Sequence, residues 1–145
     1  MRKLAGRIRK HDDEGRMNEK LDSKQSMDRL FDSRSLESIT GGEPDALRRL
    51  LDTLLTSSRD DRARLAQLLE HKDQQGLAEL AHRIKGAARV VGSSVLVEAC
   101  TRLEEACRGR GEGLALVPGY AATLDDGLET FEASILAELA RLTKV

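Results

Sequence analysis

Aromatic residues are almost missing from this sequence: there is no tryptophan, one tyrosine and two phenylalanines, 2% of 145 residues. That shortage argues against a surface that stacks single-stranded nucleic acid. The net charge is −1, so no global field points toward nucleic acid either. No apolar run approaches the ~20 residues that span a bilayer. The basic start (Arg2, Lys3, Arg7, Arg9, Lys10) is not followed by the apolar segment of a signal peptide, and none is expected. Cysteine is scarce too. Cys100 and Cys107 on one helix would share a face but sit about 10 Å apart along the axis, too far for an intrachain disulfide. They read as small apolar core residues. Nothing has the spacing of a Cys/His metal cluster. Gly109, Gly111 and Gly113 lack the following Lys-Ser/Thr of a nucleotide-binding loop, so no ATP binding is expected.

What the chain has instead is leucine, alanine and valine among 34% charged residues, the composition of a helical protein. Its length suits one domain with an extra segment at one end. Residues 1–28 are polar and charged, the basic start being followed by Asp12, Asp13 and Glu14. They read as a flexible or helical linker, with a basic docking patch as the sharper alternative. The domain proper is expected over 29–145. Asp32 or Ser33 can cap a short helix over Leu36 and Ile39, which Gly41-Gly42 ends. Pro44 suits the first turn of a second helix. Its stripe of Leu47, Leu50, Leu51, Leu54, Leu65, Leu68 and Leu69 keeps phase across the polar interruption Ser57 to Asp61. This predicts one long helix from Pro44 to about His71, with a kink admissible in the middle. Asp73 caps a third helix, over Gln74 to Val91, and Gly92 ends it. Ser93 or Ser94 starts a fourth, with Leu96, Ala99, Cys100, Leu103, Ala106 and Cys107 on one face, broken by the glycines at 109, 111 and 113. Pro118 opens a last helix with Leu124, Leu128, Phe131, Ile135, Leu139 and Leu142 at spacings of three and four. Four substantial amphipathic helices with short connections predict an all-α fold, an antiparallel up-down four-helix bundle with a short extra N-terminal helix.

The chemistry lies in the third helix. At about 100° per residue, Leu77, Leu80, Ile84, Ala88 and Val91 cluster opposite His82 and form the core stripe. Gln75, Ala78, Glu79, Lys85, Gly86 and Arg89 fall within roughly 60° of His82. His82 is therefore expected at the centre of the solvent face. The bland reading is an ordinary exposed side chain. Two neighbours argue for more. Lys85, one turn on and read as solvent-facing, can reach an anion held at the imidazole. Gly86, at i+4, costs a helix interior roughly 1 kcal/mol relative to alanine; drift or close packing would explain it, but so would clearing the imidazole for a bulky partner. A free imidazole titrates at about 6.5, so much of it is a neutral nucleophile at neutral pH. A transferring phosphoryl group needs mainly positioning and charge. That face offers Gln75, Ala78, Glu79 and Arg89 as contacts for a partner, with Arg83 beside it.

His82-x-x-Lys85-Gly86, with Gly92 six residues on and Ala81 just before, resembles the signature of the histidine-containing phosphotransfer (HPt) domain family. Leu96, Cys100, Leu103 and Glu104 follow that family's pattern in the next helix. Gly41-Gly42-Glu43-Pro44 and the leucines after it resemble the start of its second helix. The likeness runs from about Phe31 to Arg108, and covers the last helix by pattern only. It is nearest to the C-terminal modules of multi-domain hybrid sensor kinases. The resemblance implies that His82 takes a phosphoryl group from a receiver-domain aspartate, at Nε2, and gives it to another. It implies receiver domains as partners, with their acidic pocket and Mg²⁺, and no cofactor or kinase activity of the module's own. It further implies a cytoplasmic monomer, tethered to a membrane sensor if it is part of one. The phosphoacceptor and dimerisation domain of a histidine kinase is the nearest alternative, but it usually has an acidic residue after the histidine and a proline soon after. Here Arg83 follows, and the next proline is Pro118. A non-catalytic helical interaction module is the other.

Overall fold

Short polar side chains and glycines set the helix ends. The computed structural model describes residues 30–109 and 112–143; the expected linker over 1–28 and its boundary with the domain lie outside the described residues. The Asp32 carboxylate accepts the Arg34 N–H at 3.0 Å and starts α1, Ser33–Thr40, which Gly41 ends at φ 67°. Pro44 opens α2, Pro44–Glu70, where a missing N–H costs nothing. The Asp73 carboxylate accepts the Gly76 N–H at 2.9 Å and starts α3, Gln74–Val91. Ser93 then caps α4, Ser94–Arg108. A short α5, Glu112–Ala115, precedes α6, Val117–Thr143.

Gly92 is required twice over. Its φ is 74°, a left-handed conformation, and a β-carbon there would come within 2.4 Å of the Asp32 β-carbon. The close approach is functional for the fold: the Asp32 N–H donates to the Val91 carbonyl at 2.7 Å, so the start of α1 closes the end of α3.

The long helices form a ring in which α2 packs on α3, α3 on α4, α4 on α6 and α6 back on α2, while α1 lies over α2 and α3. This is the predicted up-down four-helix bundle with its short N-terminal helix. Leu51, Leu77, Leu96, Leu103, Leu124 and Ile135 fill its centre. Phe31 meets Phe131 edge-on, ring centroids 6.2 Å apart, and so ties the segment before α1 to α6.

Three local expectations change. The stretch Ser57 to Asp61 does not interrupt the α2 stripe, because Ser58 and Asp61 are themselves buried in phase with Leu51, Leu55, Leu65 and Leu68. Both are partnered, as burial demands. Ser58 Oγ donates to Glu132 on α6 at 2.7 Å, and Asp61 accepts from Arg83 on α3 at 2.7 Å. Arg62 adds bonds to Asp125 (2.9 Å) and Glu132 (3.1 Å). Ile39 is half exposed, since two turns of α1 bring only Leu36 into the core. The glycine run does end α4, at Gly109, but Gly113 sits inside the short α5 that follows. A β-carbon on Gly109 would lie 3.2 Å from the Gly113 α-carbon, so Gly109 lets the two backbones meet. The last helix accordingly begins at Val117, one residue before Pro118. No helix among the described residues is long and apolar enough to cross a membrane.

Candidate functional site

His82 occupies the middle of α3, with its side chain 68% exposed. Leu77, Leu80, Ile84, Ala88 and Val91 are all buried on the opposite side, as their spacing predicts. The imidazole is nonetheless held. Its Nδ1 lies 3.1 Å from Oε2 of Glu104, which α4 presents from beneath.

Glu104 organises the site. Its side chain is only 6% exposed, and it gathers three donors. Lys85 Nζ donates to Oε1 at 2.7 Å, Arg108 Nη1 donates to Oε2 at 2.7 Å, and His82 meets the same Oε2. The hydrogen bond from Lys85, opposed by burial and reinforced by Arg108, holds the Glu104 carboxyl down at about 2 instead of 4.5. It is therefore ionised throughout the physiological range.

Two sequence expectations are corrected here. Lys85 is not solvent-facing: its side chain is 13% exposed and its ammonium is spent on Glu104. Ala78, expected among the partner contacts, is buried. Both lie on the flank of α3 that faces α4, and a single-helix projection does not know which flank a neighbour covers.

The other candidates are exposed. Gln75 and Glu79 bond each other at 3.3 Å one and two turns before His82, and Arg89 lies two turns after it. Arg83 is exposed but leans the other way, to Asp61 on α2. A β-carbon on Gly86 would meet nothing within 4 Å, so packing does not require this glycine. Val90, one turn beyond Gly86, is an exposed apolar side chain that the helix projection did not single out. His82, Lys85, Thr101, Glu104, Glu105 and Arg108 line an open cleft between α3 and α4.

Glu104 and Arg108 lie on α4, outside the helix face on which the site is expected. A signal for Glu104 existed: a carboxylate four residues after Cys100, on the buried face of α4, must find cationic partners or pay several kcal/mol. Arg108 gave none beyond its place before Gly109. The thiols take no part. Burial pushes the Cys100 thiol up to about 12, and Cys107 is also raised by burial. No cluster of metal-ligating side chains occurs among the described residues.

An exposed histidine on a bundle helix, backed by a carboxylate and two cations, fits the comparison with known families. The Hpt domain family model matches residues 49–141. The chain belongs to the Hpt domain family. This Hpt domain is a histidine phosphotransfer intermediate of a two-component phosphorelay. It is 28% identical to histidine-containing phosphotransfer protein B (HptB) from Pseudomonas aeruginosa PAO1, whose crystal structure superposes with a TM-score of 0.67, covering 77% of this chain and 95% of that one. It is 27% identical over 109 residues to the virulence sensor protein BvgS of Bordetella bronchiseptica, and 26% identical to that of Bordetella pertussis. Those matches take in 75% of this chain, which spans only 9% of the length of either sensor.

Proposed function

We propose that His82 is the phosphoryl carrier of this Hpt domain, that Nε2 is the atom loaded, and that receiver-domain aspartates are donor and acceptor. One observation carries the reading: Glu104 holds Nδ1 of an otherwise exposed imidazole, which leaves Nε2 free.

A neutral imidazole has one proton and two nitrogens. A carboxylate at 3.1 Å from Nδ1 accepts a hydrogen bond, so it selects the tautomer with its proton on Nδ1 and its lone pair on Nε2. Nε2 attacks the phosphorus of an aspartyl phosphate, the N–P bond forms, and the P–O bond breaks with its electron pair leaving on the aspartate. No proton has to leave. The ring retains its Nδ1 proton and becomes formally cationic, next to a carboxylate too weakly basic to remove that proton. Donation runs the same path backwards, with imidazole leaving as the neutral tautomer.

Lys85 acts through Glu104, fixing the carboxylate and lending positive charge to the cleft. Gly86 leaves space above the helix for the receiver. Gln75, Glu79, Arg83 and Arg89 form the rim that the receiver touches. The acidic pocket and the Mg²⁺ that neutralise the transferring phosphoryl belong to the receiver. The domain needs no cofactor, has no kinase activity, and works as a monomer on the cytoplasmic side.

The test is incubation with a receiver domain carrying a labelled aspartyl phosphate. Label passes to the wild-type chain and not to a His82→Gln variant. Equal labelling of the two would overturn the reading.

A further inference from the structure

Arg108 and Lys85 both bond Glu104, but they differ in freedom. Lys85 is nearly buried and pinned to Oε1, whereas Arg108 is the last residue of α4 and its side chain is 63% exposed. Arg108 Nη1 and His82 Nδ1 share one oxygen, Oε2, so the guanidinium stands beside the imidazole, separated by no more than two hydrogen bonds. Among the described residues Glu104 is its only hydrogen-bond partner, and a guanidinium has five N–H donors in a planar fork that matches phosphoryl oxygens.

Loading His82 changes the charge of this corner. A phosphoryl group brings about two negative charges into a cleft already lined by Glu104 and Glu105. A cation has to move toward it, and Lys85 is not the one free to do so. We propose that Arg108 is a ligand of the phosphoryl group on His82: it bonds Glu104 before loading and turns to the phosphoryl oxygens afterwards. The proposal rests on His82 being the carrier. Arg108 forms no covalent bond and moves no proton. It stabilises the loaded state, and thereby sets how firmly this domain holds its phosphoryl group against its partners.

The test compares wild type with Arg108→Ala, Arg108→Gln and Arg102→Ala. Arg102 is an exposed control on the same helix, bonded to Glu98. Each is loaded at a fixed ratio of phosphoramidate to ammonium, and the loaded fraction is read by ³¹P NMR. The ratio of loaded to unloaded protein is expected to fall about fivefold in both Arg108 variants, the size of one exposed charged contact, and to stay unchanged in Arg102→Ala. The second ionisation of the phosphoryl group should move to higher pH in the Arg108 variants, because a stabilising cation is gone. The tautomer of unloaded His82, read by ¹⁵N shifts, should match wild type. Loading equal to wild type overturns the proposal. So does a fall accompanied by a changed tautomer in the unloaded protein, which would place the effect in Glu104. Failure of the underlying reading looks different: His82→Gln would then load as well as wild type.

Discussion

Oε2 of Glu104 sits 3.1 Å from Nδ1 of His82, joining a buried carboxylate on α4 to the exposed imidazole on α3. The contact makes one ring nitrogen a held donor and the other an open nucleophile. Its consequences can be measured.

Replacing Glu104 by glutamine keeps the shape and removes the charge. Lys85 loses its anion at a nearly buried position, and stability should fall by about 2 kcal/mol, the scale of a charged hydrogen bond. The amide no longer enforces the Nδ1-protonated tautomer. Phosphoryl transfer to His82 should slow by about tenfold, equivalent to roughly 1.4 kcal/mol of barrier. Urea unfolding and single-turnover labelling check the two effects separately.

The Glu104 carboxyl titrates at about 2 in the folded protein against 4.5 when free. A lowered folded pKa means stability that is fully present above 4.5 and lost as pH falls from there toward 2. The loss is on the order of 3 kcal/mol. Lys85→Ala removes the main cause of the shift, so it should lower stability at neutral pH and flatten this acid limb. Urea midpoints between pH 7 and pH 2 for wild type, Lys85→Ala and Glu104→Gln test the sign. A wild-type acid limb no steeper than that of Glu104→Gln would contradict it.

Gly86→Leu separates stability from function. A β-carbon there meets nothing within 4 Å, so the fold accepts the side chain. Helix propensity should raise stability by about 0.5–1 kcal/mol. Transfer from a receiver should drop sharply, because the leucine stands one turn from the imidazole on the open face. Undiminished transfer would remove the access role of Gly86.

Phe131→Ala should cost about 3–5 kcal/mol. It empties a buried position on α6 and removes the edge-on contact that anchors Phe31. Unchanged thermal stability would take Phe131 out of the core.

The helix ends were legible because each is made by a local rule: Asp32, Asp73 and Ser93 cap, while Gly41 and Gly92 turn. The exposure of His82 was legible for a similar reason, since it follows from the spacing of five apolar residues on its own helix. The failures lie between helices. Lys85 and Ala78 project toward the same solvent face as His82 until α4 covers that flank. Ser58 and Asp61 look like a polar break until Glu132 and Arg83 satisfy them from α6 and α3. Glu104 carries the site but needs three partners, two from α3 and one a turn further along α4, to show its purpose. Periodicity in one helix holds no record of what the next helix brings.

The most direct test of the central claim is the ³¹P–¹⁵N spectrum of the loaded protein with ¹⁵N-labelled histidine, which locates the phosphoryl group among His11, His71 and His82. One coupled nitrogen is expected, Nε2 of His82, with Nδ1 still protonated. Coupling to Nδ1 of His82, or to either other histidine, would contradict it.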